Sequence, residues 1–459
     1  MFNLTNKAKK ILKLVLSLLI IIILCFLFYY RALLSDKPLG LDTLAHLSKI
    51  SYINSFGFPH WDLMWYSGSP FLKFYPPLFY CIASLFTGPF FAANFLPFLS
   101  FLLTCMGLFF VVYSYSNNFR ASLVSALFFL SSLSFSFYYL AVGNLPFVFS
   151  IWTIPFVLLL FEQCIKKESR NIYFFLYNFI FLFAFLTHIF TGLCLLLILA
   201  IRIATLSGFT LKTLRSCLVF LGIPILLACF WLIPFLLKSS SFIGDEIFIP
   251  SITQILGIQP KLFFGVGGAS IGLSFIAVLV AFLFIKRFKD DKIYIFLLVC
   301  SAVLFFLFLG ILGKYYPSGI GSIRFVVPFS VVSSILLGVF MAKIVDKRYL
   351  FLFAFIIVIL LCSLVQGYFA TQNNFQKHSH ASEEEEFGFV LNSFSNTNFP
   401  VQSETDFYRF GSRRPVFAKS FNFISPNFSQ TSGYYDQGIP YHGSLFKFFD
   451  AVWGAGSLD

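Results

Sequence analysis

The sequence predicts an all-α polytopic membrane protein, and three observations carry this prediction. Hydrophobic residues make up 59% of the chain and charged residues 11%, whereas a soluble globular protein has about 25% charged residues. Apolar runs of about 17 to 25 residues, the length that crosses a bilayer as a helix, recur along the chain. Basic residues stand in short clusters between these runs, as in loops that fix membrane orientation. The net charge of +13 therefore indicates no nucleic-acid partner.

About eleven runs are long enough to be transmembrane helices. They cover residues 11–30, 94–116, 121–141, 145–163, 171–187, 188–205, 213–237, 262–285, 292–312, 323–343 and 349–368. The first run is too long for a signal-peptide core and has no small-residue cleavage site, so we interpret it as an uncleaved span.

The stretch at 76–89 decides the orientation of every later loop. It lies between prolines and is short for a crossing, so we interpret it as an interfacial or half-inserted helix. The later basic clusters then fall on the cytoplasmic side together with the N-terminus, as the positive-inside rule requires. We therefore expect residues 1–368 to form a multi-spanning domain in the cell membrane, with a first extracytoplasmic loop at 31–76.

The tail from residue 369 to 459 differs in composition. It carries four consecutive glutamates at 383–386, many Asn, Ser, Gly and Tyr residues, and short alternating stretches. We expect a small extracytoplasmic module of mixed or β type. The chain stops without a finishing element, so we expect it to be a truncated piece of something longer.

Ionisable residues inside spans are candidates for function because they are costly in a bilayer. Glu162 and Arg202 fall near the expected cytoplasmic ends of their spans, where their side chains can reach water. The spans have no carboxylate at mid-depth, which argues against a proton-coupled carrier. The nine cysteines include no CxxC pair and indicate no disulfide framework or zinc site.

The first loop holds the main catalytic candidates. Asp42 and His46 are the catalytic candidates, and Lys49 is a candidate for substrate binding. The three recur at i, i+4 and i+7, so a helix would place them on one face. A positioned carboxylate can accept the proton of an attacking hydroxyl, as transfer to a hydroxyl requires. The alternative is that Asp42 only caps the helix.

Further motifs follow in this loop, namely Gly57-Phe58-Pro59, Trp61, Tyr66-x-Gly68-x-Pro70 and Tyr75-Pro76-Pro77-Leu78. With Asp42-x-x-x-His46 they resemble the first extracytoplasmic loop of the GT-C superfamily of polytopic glycosyltransferases. The loop is most similar to the bacterial and archaeal membrane proteins labelled 6-pyruvoyl-tetrahydropterin-synthase-related, a label that implies no pterin chemistry. Shorter matches extend the resemblance over 11–368, at 143–155, 187–188, 230–234 and 324–328.

The resemblance implies an inverting glycosyltransferase that moves a hexosyl or pentosyl group from a polyprenyl-phosphate carrier to an extracytoplasmic glycan, lipid or protein acceptor. It implies that Asp42 is the base. Members of the superfamily often carry an acidic pair here, but Thr43 follows Asp42, which leaves a divalent metal cofactor open. Asp36 and Asp62 are the alternative partners, each also explained as a solvated loop charge.

Donor-binding candidates lie at span ends on the same side of the membrane. Arg324 offers forked donors that suit phosphate oxygens, and His188 lies beside it in this topology. The alternatives are an interfacial arginine and a helix-end hydrogen bond. Trp61, Tyr66 and Tyr75 either contact the sugar or anchor the loop among lipid headgroups.

Two other functions stay open at this point. A lipid-linked glycan flippase or other transporter would be favoured by polar residues at mid-depth. A non-catalytic assembly or sensor protein would depend on its tail rather than on Asp42.

Overall fold

The structure is a computed structural model. It describes residues 6–35, 39–40, 42–58, 61–62, 69–70, 72, 75–86, 88–166, 170–208, 210–238, 274–309, 322–344, 350–378, 408–410 and 428–430. Within these ranges the chain is helical apart from two short strand pairs, and eight helices are long and apolar enough to cross a membrane. The all-α polytopic fold is therefore confirmed.

The number of spans agrees with the sequence once shorter helices are included. Two further apolar helices, Asn171–Thr187 and Lys292–Phe308, fall just below the length of the eight. The remaining predicted span, 262–285, is described only from Ser274 onward, where it is helical.

In the first half of the chain, the long helices begin and end close to the bounds of the predicted spans. These helices are α1 (Asn6–Leu33), α2 (Thr43–Phe56), α3 (Leu78–Ala83), α4 (Pro89–Ser116), α5 (Phe119–Leu130), α6 (Leu133–Ser136), α7 (Leu145–Ser150), α8 (Thr153–Lys166), α9 (Arg170–Thr187) and α10 (Ile189–Ser207). A π-helix over Phe137–Val142 continues α6 and completes the span that α5 begins.

Six more helices lie among the described residues from 211 onward. They are α11 (Leu211–Cys217), which a π-helix at Leu218–Gly222 joins to α12 (Ile223–Lys238), then α13 (Ser274–Leu283), α14 (Lys292–Phe308), α15 (Val326–Lys343), preceded by a 3₁₀ turn at Ser322–Phe325, and α16 (Leu350–His378). In the predicted module, the described part shows only a parallel pairing of β3 (Tyr408–Phe410) with β4 (Phe428–Gln430). The helix α16 continues past the predicted boundary at 368 and ends at His378, and its last turns contain polar Gln and Asn residues.

The stretch at 76–89 forms one short helix, α3, of six residues. At 1.5 Å per residue it rises about 9 Å, roughly a third of the hydrocarbon thickness. It is therefore too short to cross, as the proline spacing predicts. The loop before it contains β1 (Trp61–Asp62), paired antiparallel with β2 (Ser69–Pro70).

The helix α15 lies at the centre of the bundle. Its residues from Val326 to Met341 are all buried, whereas α1 and α16 expose most of their surface. A methyl group on Gly338 would lie 2.8 Å from Ser125 Cβ, so the small residues let α15 and α5 approach closely.

Two spans define opposite ends of the bundle. The span made by α7 and α8 starts beside Gly143 and reaches Glu162, a distance of about 25 Å along a helix. Likewise α10 starts at His188 and reaches Arg202 about 20 Å away. The backbone of Asp42 contacts Val142, so we refer to the Asp42 end and the Glu162 end.

Candidate active site at the Asp42 end

Asp42 occupies the N-cap position of α2, but its side chain does not cap the helix. The backbone is in the right-handed helical region at φ −94° and ψ −8°, and no cap hydrogen bond forms. Capping residues usually adopt an extended backbone. The residue is nevertheless buried, with only 7% of its surface exposed. The capping alternative is therefore wrong.

A contact between two glycines fixes the backbone of Asp42. Its amide donates to Val142 O at 2.7 Å. Gly40 and Gly143 have φ of +86° and +74°, and a Cβ atom on Gly40 would lie 2.5 Å from the amide nitrogen of Gly143. Only glycine combines this backbone conformation with so close an approach. Both glycines therefore hold the first loop against the end of the π-helix.

The helix α2 places His46 and Lys49 on the face that the spacing predicts. His46 is fully buried, and its Nδ1 lies 2.8 Å from Tyr80 Oη. Its ring also lies 5.9 Å from the ring of Tyr75. Lys49 is half-buried. His46 lies one helical turn after Asp42, and a hydrogen bond to Tyr80 on α3 therefore holds its ring.

Tyr75 connects the first loop with the rest of the site. Its hydroxyl donates to Asn144 Oδ1 at 3.4 Å, and its ring lies 6.3 Å from the ring of His188. Burial raises the pKa of Tyr75; the positive charge of Arg324 opposes this rise and the negative charge of Asp42 adds to it. Asp42 and Arg324 therefore both lie within electrostatic range of one phenol.

His188 lies between α9 and α10 and is 4% exposed. Its ring packs 5.1 Å from that of Phe147, and its Nδ1 has no hydrogen-bond partner in the part of the chain that the structure describes. Burial, together with the charge of Arg324, lowers the pKa of His188 well below its usual value. The imidazole is therefore neutral at neutral pH, and does not add positive charge to the site.

Arg324 lies on the 3₁₀ turn before α15 and is half-buried. The next residue, Phe325, packs against Phe190 at a ring distance of 4.8 Å. Neither of the two salt bridges found within the described ranges involves Arg324. The guanidinium thus stands near Tyr75 and His188 without a protein counter-ion among those residues.

The structure does not settle every predicted site residue. The side chain of Trp61 is not described although its backbone lies in β1, and Tyr66 lies outside the described residues, as does Asp36. Three contributors were missed from the sequence, namely Tyr80, Asn144 and Tyr138. Asn144 directly follows Gly143 in the segment 143–155, which resembles the family and could have pointed to it. Tyr80 and Tyr138 lie in Phe-rich runs, where nothing in the sequence distinguishes them from other aromatic residues.

The charged pair at the Glu162 end corrects another expectation. Arg202 Nε lies 2.7 Å from Glu162 Oε1, and both side chains are 3% exposed. Tyr115 Oη donates to the same carboxylate oxygen at 3.2 Å. These residues were expected to reach water separately, but they lie on facing helices and neutralise each other inside the bundle.

The fold and this site define a multi-pass helical membrane protein with a polar site at one end of the bundle. No family model and no curated protein matches the sequence, so the finer resemblance to the 6-pyruvoyl-tetrahydropterin-synthase-related proteins stays a prediction. Solved structures do match the fold, and among them are several of the oligosaccharyltransferase of Archaeoglobus fulgidus.

Three of these structures show how far the similarity extends. The form tethered with an acceptor peptide containing the NVT sequon has a TM-score of 0.62 at 14% identity, over 94% of this chain and 65% of that chain. The complex with an inhibitory peptide and a dolichol-phosphate has 0.57 at 14%, over 93% and 65%. The complex with Zn and sulfate has 0.56 at 15%, over 92% and 62%. This chain thus spans less than two thirds of their length and shares their overall fold.

The described residues do not supply a metal site at Asp42. Within them, no three His, Cys, Asp or Glu side chains come together in a way that could hold a metal ion. Thr43, which stands where a second acidic residue would be, donates its hydroxyl to Leu39 O. These residues do not fit a metal centre, and no metal-dependent step is derived from them.

Proposed function

We propose that this chain is a membrane glycosyltransferase that moves a hexosyl or pentosyl group from a polyprenyl-phosphate-linked donor to a hydroxyl of a glycan, lipid or protein acceptor. The observation that carries the proposal is the arrangement around Tyr75. A buried carboxylate that does not cap its helix and an arginine without a salt bridge in the described ranges both act on this one phenol.

The donor class is supported by the chemistry of Arg324. A guanidinium presents parallel N–H donors that match two phosphate oxygens. Its position at the start of α15, at an end of the bundle, suits a phosphate carried at the membrane surface. The related oligosaccharyltransferase binds dolichol-phosphate, a lipid phosphate of this kind.

In the proposed reaction the acceptor oxygen attacks the anomeric carbon of the sugar. A bond forms between that oxygen and the carbon, while the bond from the carbon to the phosphate oxygen breaks. The hydroxyl proton passes to the carboxylate of Asp42, and the electron pair of the broken bond leaves with the polyprenyl phosphate, which Arg324 stabilises. His46, one turn after Asp42 and bonded to Tyr80, positions the base.

We infer that the Asp42 end faces the extracytoplasmic side and that the C-terminal module lies there too. Basic residues support this orientation, because Arg120 begins α5, Lys166 ends α8 and Lys343 ends α15, all at the Glu162 end. An impermeant thiol reagent added outside cells should label Asn54→Cys, an exposed position on α2, but not Lys289→Cys. The reverse pattern would place the site in the cytoplasm.

The activity is tested with purified protein in lipid nanodiscs. Polyprenyl phosphates carrying radiolabelled glucose, mannose or arabinose are supplied with a mixture of membrane glycolipids and extracted glycans. The proposal predicts labelled acceptor together with free polyprenyl phosphate. In proteoliposomes, movement of the intact lipid-linked sugar between leaflets without transfer would instead indicate a flippase.

A further inference from the structure

Two buried polar atoms beside the proposed phosphate site have no hydrogen-bond partner. They are Tyr138 Oη and His188 Nδ1, on residues that are 3% and 4% exposed, and the statement holds for the residues that the structure describes. Buried polar groups in folded proteins nearly always have a partner. Two such atoms in one place therefore indicate a ligand that supplies the missing hydrogen bonds.

The two residues belong to one site. The ring of Phe147 lies 5.1 Å from the ring of Tyr138 and 5.1 Å from that of His188. The charge of Arg324 acts on both side chains. Tyr138, His188 and Arg324 therefore surround a common region.

The backbone holds Tyr138 firmly. Its carbonyl accepts hydrogen bonds from the amides of Gly143 and Asn144, both at 3.1 Å. These two amides belong to the same turn that contacts the Asp42 loop. The π-helix thus fixes the backbone of Tyr138 relative to the loop that carries Asp42.

We propose that Tyr138 and His188 form a neutral hydrogen-bonding subsite for hydroxyl groups of the donor sugar, next to the phosphate at Arg324. A phenol both donates and accepts, and a neutral imidazole accepts from a hydroxyl. Burial keeps the His188 side chain uncharged, because it lowers the pKa of that group. An uncharged pair suits a sugar better than a second phosphate. This inference rests on the proposed function.

The affinities of the protein for two lipids distinguish a defect in the sugar subsite from a defect in the phosphate site. The probes are undecaprenyl phosphate and its glucose ester, measured with purified protein in nanodiscs. Arg324→Gln should weaken both lipids about equally. Tyr138→Phe and His188→Phe should weaken only the glucose ester, by about three- to tenfold, the effect of one hydrogen bond.

The ratio of the two affinities is the decisive quantity, because it does not depend on how much protein is folded. Tyr139→Phe is the matched control, since the Tyr139 hydroxyl already donates to Asn94 O at 3.1 Å, and it should leave the ratio unchanged. Equal weakening of both lipids by Tyr138→Phe and His188→Phe would overturn the subsite and leave the phosphate site standing. Binding of neither lipid by the unmodified protein would overturn the proposed donor, and the subsite with it.

Discussion

The two ends of the bundle each hold a buried carboxylate and an arginine, but they use these charges differently. At the Glu162 end, Arg202 pairs directly with Glu162, and Tyr115 donates to the same carboxylate. At the Asp42 end, Arg324 makes no salt bridge within the described ranges, and the charges of Arg324 and Asp42 shift the pKa of Tyr75 in opposite directions. The direct pair links two facing helices, whereas Arg324 lies at the end of the bundle where we propose that the donor phosphate binds.

The largest expected effect is on stability at the Glu162 end. Glu162→Gln leaves the Arg202 guanidinium buried without a counter-ion, and losing one partner of a buried pair costs about 3–5 kcal/mol. We expect a clear fall in the thermal unfolding midpoint of the purified protein, measured by intrinsic fluorescence. Transfer per folded molecule should stay close to that of the unmodified protein.

A double variant sharpens this contrast. Replacing both partners, in Glu162→Met with Arg202→Met, removes the charges together, and such replacements are often neutral or stabilising. The midpoint should return toward its original value. If the double variant were as unstable as Glu162→Gln, the pair would not act through charge neutralisation.

The glycine contact predicts the next effect, which falls on the Asp42 end. Gly143→Ala places a methyl group 2.5 Å from Thr43 Oγ1 at a φ of +74°, so the Asp42 loop has to move away. We expect at least tenfold slower transfer, because small displacements of a catalytic group are costly.

Gly208→Ala is the matched control for this variant. Gly208 also has a positive φ, +64°, but a Cβ atom there meets nothing within 4 Å among the residues that the structure describes. Both variants carry the backbone strain, and only Gly143→Ala carries the clash. Equal transfer rates in the two variants would show that the contact does not position Asp42.

A smaller effect is expected for Arg324→Lys. Lysine keeps the charge and loses the paired donors, so the apparent KM for the lipid-linked donor should rise about tenfold, equivalent to about 1.4 kcal/mol. Expression and the unfolding midpoint should not change. Arg31→Lys, an exposed arginine at the end of α1, is the control. An unchanged KM for Arg324→Lys would leave Arg324 as an interfacial residue only.

The sequence predicts the fold well because the constraints on it are local. Span length, loop charge and the prolines around 76–89 each act within about 20 residues, so they are visible without tertiary information. The helical face of Asp42 and His46 is predicted for the same reason.

The rest of the site depends on contacts between distant segments. In the sequence Tyr138 resembles the other aromatic residues of its span, and only the structure shows that its ring and that of His188 pack against the same Phe147. Glu162 and Arg202 are 40 residues apart, and only helix packing shows that they meet. The capping role of Asp42 was a reasonable alternative from the sequence, but the backbone conformation imposed by the glycine contact excludes it.

Transfer by Asp42→Asn is the most direct test of the account. Asparagine has nearly the same shape as aspartate, but it cannot accept the proton of the acceptor. Loss of a general base typically slows a reaction about 10²- to 10⁴-fold. With the lipid-linked-sugar assay and the unfolding midpoint measured on the same preparation, we expect a transfer rate reduced by this factor and an unchanged midpoint. A rate within about threefold of the unmodified protein, well short of that loss, would contradict the assignment of Asp42 as the base.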